Sequence, residues 1–332
     1  MLHSLYSLIK VLESSKIITV CVITYNHNEF ISHALNSIAA QKTNFNYDIL
    51  IADDCSTDGT KEKVLAFSKS RSNVSLILQE SNVGPAKNFI ELISTPKTKY
   101  ISYLEGDDYW SDPYKVQKQV DYLEANPECS ITSHQVLDIN EKGNLLSKSK
   151  KKEKSIIIKK YKYFDENFNE TASQPGSWVF RSCLINSLPT IITKVIYGDD
   201  LMWIHFLNHG YAYIFNYEMS CYRHHSNGIW SRKTSIHKCI NQIINFKIIS
   251  SYYKYDVFSL KIKTLIQNLD DWLFSSNDFL CSLNVSLKIF KDNPKHIIYL
   301  LPFLNLLCKK FIFQYCIPRV RIYIGKMKAF LW

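Results

Sequence analysis

The chain has 332 residues, of which 46% are hydrophobic and 14% aromatic, and it carries a formal net charge of +10. This is enough apolar material for a substantial core in one large domain or two smaller ones. Its nine cysteines show no Cys-x-x-Cys or other zinc-like spacing, and no run reaches the roughly 18 apolar residues that cross a bilayer, so zinc-binding and membrane-spanning classes are disfavoured.

The positive charge is concentrated in residues 147–160 and from Lys291 onward, where Asp292 is the only acid. Such an excess permits nucleic acid, anionic membrane or a phosphate-bearing substrate as partner. No helix-turn-helix, zinc-finger or RNA-recognition signature is present, so we expect no nucleic acid. The tail alternates apolar runs with Lys and Arg, which favours binding to an anionic membrane surface. Without a recognisable secretory signal, we expect a cytoplasmic protein, peripheral on the inner face of the cell membrane.

The first part of the chain alternates strand-like and helix-like patterns. Apolar residues recur at helical spacing after Phe30 and around Val64, and Gly84-Pro85 and Asp112-Pro113 each precede a further helical pattern. The predicted strands are 17–23, 47–52, 74–78 and 100–105. This alternation predicts an α/β fold, Rossmann-like, with a mainly parallel open sheet and helices on both faces.

Polar clusters follow three of these strands, at the ends where parallel sheets bind ligands. They are Thr24-Tyr25-Asn26, Asp53-Asp54 and Asp107-Asp108. Their convergence on one edge predicts a single ligand site.

The later part of the chain is less regular. Residues 148–154 are charged and of low complexity, which predicts an exposed loop. Strand patterns occur at 178–180 and 219–222, and helical ones from about 237 to 292. We therefore predict a lead-in (1–16), a domain (17–231, divided at 138/139, with a Lys-rich loop at 147–160) and a helical, basic, amphipathic C-terminal region (232–332).

The tripeptide Gly-Asp-Asp occurs twice, at 106–108 and 198–200. The first copy ends a strand, and carboxylates there suit Mg²⁺ held against phosphates, although Asp and Gly are also common in turns. The second copy opens a helix, where Asp199 or Asp200 could cap the helix or accept a proton. Both readings stay open for the second copy.

Three other segments are candidate contacts. Asp53 or Asp54 is placed to bond a ribose or base edge, whereas a calcium loop is rejected because its twelfth position is Leu65. Gly84-Pro85-Ala86-Lys87 begins a helix whose free N–H groups could face an anion, although an ordinary junction is favoured. Arg223 and His225 could contact phosphate or metal.

Taken together, these motifs resemble a family 2 glycosyltransferase with the GT-A fold, of the type that builds bacterial cell-surface polysaccharide. The resemblance rests on Val22-Ile23-Thr24-Tyr25-Asn26, Asp53–Thr60, Asn82-Val83-Gly84, Glu105–Trp110 and Asp112-Pro113. It is strong over residues 17–138, weaker to about 231, and absent beyond.

The resemblance implies a role for each matching residue. Tyr25 and Asp54 would contact the nucleotide, with Asp53 close by. Asp199 would be the catalytic base, with Asp200 as second choice because the family often has Glu-Asp where this chain has Gly-Asp-Asp. The remaining implied contacts are Thr24, Asn26, Lys87 (where Arg is frequent) and Asp107 for the donor, Asp108 with Asp107 and His225 for Mg²⁺ or Mn²⁺, and Arg223 with His225 for the diphosphate.

The implied reaction is inverting transfer of a sugar from a nucleoside-diphosphate sugar, with a UDP-sugar favoured, to a hydroxyl of a saccharide or lipid-linked saccharide in envelope polysaccharide synthesis (lipopolysaccharide, O-antigen or capsule). A sugar-nucleotidyltransferase is the first alternative, but residues 24–28 lack the glycines of an activating loop. A non-catalytic nucleotide-sugar or saccharide-binding module is the second. A membrane scaffold would leave the three polar clusters unexplained.

Overall fold

The computed structural model describes residues 16–146, 154–159, 174–228 and 235–254, with 261, 262, 264 and 265. The strands in this part are β1 (Ile18–Thr24), β2 (Tyr47–Asp53), β3 (Val74–Leu78), β4 (Tyr100–Glu105), β5 (Tyr109–Trp110), β6 (Cys129–Asn140), β7 (Ile156–Ile158), β8 (Val179–Arg181) and β9 (Tyr211–His224). The helices are α1 (Ile31–Ala39), α2 (Thr60–Lys69), α3 (Pro85–Ser94), α4 (Lys115–Ala125), α5 (Gly198–His209) and α6 (Ser235–Tyr252).

The described strands form one sheet in the order β3-β2-β1-β4-β8-β6-β9-β5, with β7 also paired to β9. Strands β3, β2, β1 and β4 are parallel. The chain moves outward from β1 through β2 to β3 and then returns to the other side of β1 as β4. This reversal opens a crevice at the carboxyl ends of β1 and β4, where α/β sheets bind ligands.

The parallel strands form because their sequences are apolar on both faces. Six of the seven residues of β1 are buried, and the edge strand β3 is more exposed. In α1 the buried residues are Ile31, Ala34, Leu35 and Ile38, one stripe of an amphipathic helix. The predicted α/β fold class is thus confirmed, and the parallel pairing holds for β1 to β4.

The second half of the sheet has mixed pairing. The short strand β8 lies antiparallel between β4 and β6, while β6 and β9 run parallel over their whole length. The predicted strands at 178–180 and 219–222 lie at β8 and within β9. One expectation needs correction: the Lys-rich segment predicted as a loop contains β7, because three successive isoleucines favour a strand and pair with β9.

A lysine is buried between the two halves of the sheet. Lys115 of α4 is 0% exposed, donates from Nζ to Ser102 Oγ at 3.1 Å, and lies 4.1 Å from the centroid of the Trp110 ring. Burial lowers the pKa of this amine well below its ordinary value, because desolvation penalises the charged form. The lysine thus lies in the core, where its charged form is disfavoured.

The chain divides into two compact units, residues 1–193 with 198–226, and residues 194–197 with 227–332. Within the second unit, Asn245 of α6 accepts hydrogen bonds from the main-chain N–H groups of Ile196 and Tyr197. Among the described helices, none is long and apolar enough to cross a membrane. The predicted basic tail and most of the predicted helical region lie outside the described residues.

Candidate active site

Three carboxylates converge where β4 ends. Glu105, Asp107 and Asp108 each offer an oxygen, and the three oxygens lie within 4.8 Å of one another. Asp108 is buried, whereas Glu105 and Asp107 are partly exposed. The turn that brings them together requires Gly106, since a Cβ there would lie only 2.7 Å from Thr24 Oγ1 and 2.9 Å from His27 Nδ1. The predicted Asp pair therefore belongs to a three-carboxylate cluster.

Asp107 has two different oxygens. Its Oδ2 lies 2.9 Å from His225 Nε2 and 3.7 Å from His27 Nε2. Its Oδ1 is buried and has no hydrogen-bond partner within the part of the chain that the structure describes. Although burial alone would raise the pKa of Asp107, the two imidazoles lower it below its usual value. One oxygen is thus fixed by histidine and the other is available to a ligand.

Asp108 is held by the strand that returns to it from the second half of the chain. The main-chain N–H of Arg223 donates to Asp108 Oδ1 at 2.8 Å. The Arg223 guanidinium donates to the carbonyl oxygens of Asp107 at 3.0 Å and Glu141 at 2.9 Å, and stacks 4.8 Å from the Phe30 ring. Arg223 therefore holds the acidic turn in position through these hydrogen bonds. The predicted contact of Arg223 with a diphosphate stays a prediction.

Burial and mutual repulsion disfavour the charged forms of two carboxyls in the acidic cluster. Burial, with Asp107 and Asp199 nearby, raises the pKa of Glu105 to about 8. Burial and the neighbouring carboxylates Asp107 and Glu105 raise the pKa of Asp108 well above its ordinary value. Carboxylates that resist ionising together, and an oxygen without a donor, are the features of a site for a hard divalent cation. The residues present fit Mg²⁺ or Mn²⁺.

The loop after β1 borders this cluster. Tyr25 is 43% exposed, and Asn26 adopts a left-handed conformation with φ 53°. The loop is tied to the segment before α2, because Asn26 N donates to Ser56 Oγ at 2.9 Å and Asn26 Oδ1 accepts from Thr57 N at 2.9 Å. Tyr25 is thereby presented to solvent on a fixed loop, as the nucleotide-contact prediction requires.

Asp53 and Asp54 end β2 and are both buried. Asp53 accepts hydrogen bonds from the main-chain N–H and the hydroxyl of Ser56. Asp54 Oδ1 accepts from Val83 N at 2.7 Å, and Oδ2 accepts from Gly84 N at 3.0 Å. Asp54 thus fixes the loop that starts α3, which is a structural role besides the predicted nucleotide contact.

Helix α3 begins as the sequence predicts. Gly84 has φ 86°, a conformation that L-residues rarely adopt, and Pro85 occupies the first helical position. Lys87 lies in the first turn and is exposed. Its predicted contact with the donor stays a prediction.

The second Gly-Asp-Asp forms the first turn of α5. Burial raises the pKa of Asp199, while main-chain N–H groups at the start of the helix, including that of Asp200, oppose the shift. Asp199 also raises the pKa values of Glu105 and Tyr103, so its charge acts on the acidic cluster. Phe89 packs edge-on against Tyr103 at 5.2 Å and lies beside Gly198, where α5 begins. The start of α5 therefore lies within electrostatic range of the acidic cluster.

Two residues of the site were given no role by the sequence. Glu105 was assigned to the strand rather than to the cluster, although the approach of three acids at 105, 107 and 108 could have indicated it. His27 gave no signal, because one histidine in a loop has no spacing to interpret. Its contact with Asp107 appears only when β1 and β4 are adjacent.

A comparison with protein families gives a match to the model "Glycosyl transferase family 2" over residues 19–187. This covers more than half of the chain and all three polar clusters. The chain belongs to glycosyl transferase family 2. The resemblance inferred from the motifs is thereby confirmed.

Relatives of known sequence include a protein named as a glycosyltransferase. A protein of uncharacterised function from Mycobacterium tuberculosis (strain ATCC 25618 / H37Rv) is 33% identical over 213 residues, covering 63% of this chain and 59% of the relative. TuaG of Bacillus subtilis (strain 168), a candidate teichuronic acid biosynthesis glycosyltransferase, is 25% identical over 122 residues, covering 36% of this chain and 48% of TuaG. The chain thus spans about three fifths of the length of the mycobacterial relative.

Solved structures support the GT-A fold of this family 2 member. S. aureus TarS 1-349 in complex with UDP-GlcNAc has a TM-score of 0.54 and 18% identity, covering 77% of this chain and 78% of that one. The mannosyltransferase PcManGT from Pyrobaculum calidifontis, in complex with GDP-Man and Mn²⁺, has a TM-score of 0.52 and 12% identity, covering 95% of each chain. At these identities the likeness concerns the fold.

Proposed function

We propose that this family 2 member transfers a sugar, with inversion, from a nucleoside-diphosphate sugar to a hydroxyl of a saccharide acceptor. The observation that carries the proposal is the convergence of two acidic groups on one crevice. Glu105, Asp107 and Asp108 end β4, and Asp199 begins α5 close enough to raise the pKa of Glu105. One group suits the departing diphosphate and the other suits the attacking hydroxyl.

In the proposed reaction, the acceptor oxygen forms a bond to C1 of the sugar as the bond from C1 to the diphosphate oxygen breaks. The acceptor proton passes to the carboxylate of Asp199. Its raised pKa makes Asp199 a better proton acceptor near neutral pH than an ordinary aspartate. The effect of Asp199 on Glu105 supports Asp199 as the base.

Glu105, Asp107 and Asp108 would hold the divalent cation. A bound Mg²⁺ or Mn²⁺ supplies positive charge that stabilises the leaving diphosphate. The chain's own contribution is positional: His225 fixes one oxygen of Asp107, and Arg223 N–H fixes one oxygen of Asp108. The Mn²⁺ in the PcManGT complex supports a metal in this fold.

The loop at residues 24–26 and the end of β2 would bind the nucleotide. Tyr25 offers an exposed ring to a base, and the fixed loops beside Asp53 and Asp54 shape the ribose position. TarS binds UDP and UDP-GlcNAc, and PcManGT binds GDP-Man, which supports a nucleotide-sugar donor. We keep a UDP-sugar as the first candidate to test.

The decisive experiment is a screen of UDP- and GDP-sugars with Mn²⁺, Mg²⁺ or EDTA, measuring nucleoside diphosphate release and thermal stabilisation. Asp199→Asn should lower turnover by about 10²–10⁴-fold, because the base is lost, and leave donor-induced stabilisation unchanged. Asp200→Asn is the matched control. Normal turnover by Asp199→Asn would exclude it as the base, and donor binding without any release would favour a non-catalytic module.

We further propose an acceptor at a membrane, in envelope polysaccharide synthesis on the cytoplasmic face. The basic, apolar-interleaved segment from Lys291 onward supports it, since each Lys or Arg near anionic lipid contributes about 1 kcal/mol. TuaG, a candidate teichuronic acid biosynthesis enzyme, supports the polysaccharide class. Flotation with anionic liposomes should be lost when residues 294–332 are deleted. Equal flotation of both chains would refute the membrane contact.

A further inference from the structure

We propose that His27 is a positioning residue that orients the carboxylate of Asp107 for cation binding and links it to the loop that would bind the nucleotide. The inference rests on the cation site of the proposed function. His27 lies between β1 and α1, and none of the motifs includes it.

The first observation is that the two oxygens of Asp107 have different neighbours. Two imidazoles face Oδ2, with His225 Nε2 at 2.9 Å and His27 Nε2 at 3.7 Å. The two rings meet edge to face, with centroids 6.3 Å apart. Because Oδ2 lies between them, the carboxylate cannot rotate freely, and Oδ1 remains the buried oxygen without a partner in the described chain.

The second observation is that His27 is itself fixed. Its main-chain N–H donates to Thr60 Oγ1 at 2.9 Å, and its carbonyl oxygen accepts from Phe30 N at 2.9 Å and Ile31 N at 2.8 Å. Its ring Nδ1 lies 3.3 Å from Thr24 Oγ1. Because both the main chain and the ring of His27 are held, the ring can fix the orientation of the Asp107 carboxylate rather than only fill space.

The third observation is the close packing of His27 against the acidic turn. Gly106 lies against the imidazole so tightly that a Cβ would be 2.9 Å from His27 Nδ1 and 3.0 Å from Ile31 Cδ1. Gly106 N also donates to Ile23 O at 2.9 Å, which joins the turn to the end of β1. A shift of the loop therefore moves the turn.

Together these contacts form a short path from Thr24 through His27 to Asp107. Residues that orient metal ligands through hydrogen bonds typically change metal affinity by about 10–100-fold when removed. The His27 contact with Asp107, at 3.7 Å, is longer than a hydrogen bond, so its effect should lie at the lower end of this range. We therefore expect His27 to set cation affinity while contributing little to nucleotide binding itself.

The test measures Mn²⁺ binding to the full chain from the electron paramagnetic resonance signal of free Mn²⁺, in the absence of nucleotide. In His27→Asn the amide reaches the Nδ1 position beside Thr24 but not Asp107, whereas in His27→Gln the amide reaches the Nε2 position. His224→Gln is the matched control, because His224 Nε2 makes a 2.8 Å contact to Asp138 Oδ1 outside the acidic cluster.

His27→Asn should weaken Mn²⁺ binding about 10-fold or more, His27→Gln should restore most of the affinity, and His224→Gln should match the wild type. Thermal stabilisation by UDP or GDP in EDTA should be equal in all four chains. Thr24→Val retains the His27 side chain but removes its Nδ1 partner, so it should weaken Mn²⁺ binding in the same direction.

Unchanged Mn²⁺ affinity in both His27→Asn and Thr24→Val would overturn the inference and leave the proposed function intact. Equal weakening by His27→Asn and His27→Gln would also overturn it, since the ring would then act by packing alone. A wild-type chain that binds nucleotide but no Mn²⁺ would overturn the inference together with the metal part of the proposed function.

Discussion

Substitution of Asp54 tests how the loops that would bind the donor nucleotide are held in position. It is 2% exposed, and its two oxygens accept the main-chain N–H groups of Val83 and Gly84 at 2.7 and 3.0 Å. Asp54→Ala removes both bonds and leaves two donors in a partly buried loop. A hydrogen bond to a charged group contributes about 1.5–3 kcal/mol, so two bonds at the lower end give about 3 kcal/mol.

For a domain of this size, about 2–4 °C of melting temperature corresponds to each kcal/mol, which predicts a fall of about 6–12 °C. Asp54→Asn keeps one acceptor and should lose about half as much. Asp58→Ala is the matched control, because Asp58 also accepts main-chain N–H groups, from Thr60 and Asn28, but is exposed. Its loss should cost only about 1 kcal/mol. Differential scanning fluorimetry measures all three variants.

Equal shifts for Asp54→Ala and Asp58→Ala would refute the reasoning, because burial would then add nothing to these bonds. A large shift without weaker UDP or GDP binding would separate the structural role of Asp54 from the predicted nucleotide contact.

Three further outcomes follow from the structure. Lys115→Met should raise the melting temperature at pH 7, because it removes a buried amine whose charged form is disfavoured. Above the lowered pKa of the folded state, the unfolded chain binds one more proton than the folded chain, so the stability of the wild type rises with pH. The stability gained by the variant therefore shrinks as pH approaches the ordinary lysine value of 10.5, and a gain independent of pH would contradict this. Gly210→Ala should destabilise by about 1–3 kcal/mol in urea unfolding, because its Cβ would overlap the carbonyl oxygen of Glu128. Gly143→Ala is the control, since its Cβ would meet no atom within 4 Å and would add only the strain of φ 85°. Equal losses of stability in the two variants would contradict this reasoning. Arg223→Lys should weaken Mn²⁺ binding about 10-fold, since an ammonium cannot replace the forked contacts to main-chain oxygens, and unchanged affinity would show that the fork is dispensable.

The first four strands follow from the sequence almost residue for residue. Residues 74–78 and 100–105 are observed as predicted, and β1 is displaced by one residue. These strands are predictable because a parallel strand buried on both faces reads as an uninterrupted apolar run. The same reasoning located the polar clusters, since strand ends define where ligands can bind.

Strand β6 could not be predicted in the same way. It runs from Cys129 to Asn140 and buries polar residues such as Ser130, Thr132 and His134, so its sequence does not alternate. Two of these groups have long-range partners: Ser130 Oγ donates to Tyr211 O at 3.2 Å, and Thr132 Oγ1 accepts from Gln119 Nε2 at 3.2 Å. A buried polar network depends on which elements meet, and local pattern carries no information about that.

The candidate site was likewise predictable from the sequence only in part. Asp107, Asp108 and Asp199 were predicted because each ends or begins an element, and their roles as ligand and base stay predictions. The sequence could not predict that His27 and His225 face one oxygen of Asp107, or that Arg223 bonds to the acidic turn. These contacts join residues that are distant in the chain, so only the three-dimensional fold reveals them.

The bond from Arg223 N to Asp108 joins residues 115 positions apart, and the one from His225 to Asp107 joins residues 118 apart. Contacts of such separation carry a larger loop-closure cost than the contacts within local strands and helices, which makes them slow to form. During synthesis, the nascent chain therefore carries its acidic turn long before the strand that orders it exists. Cation affinity should appear only once β9 has been made and paired, so a truncated product would be inert as well as unstable.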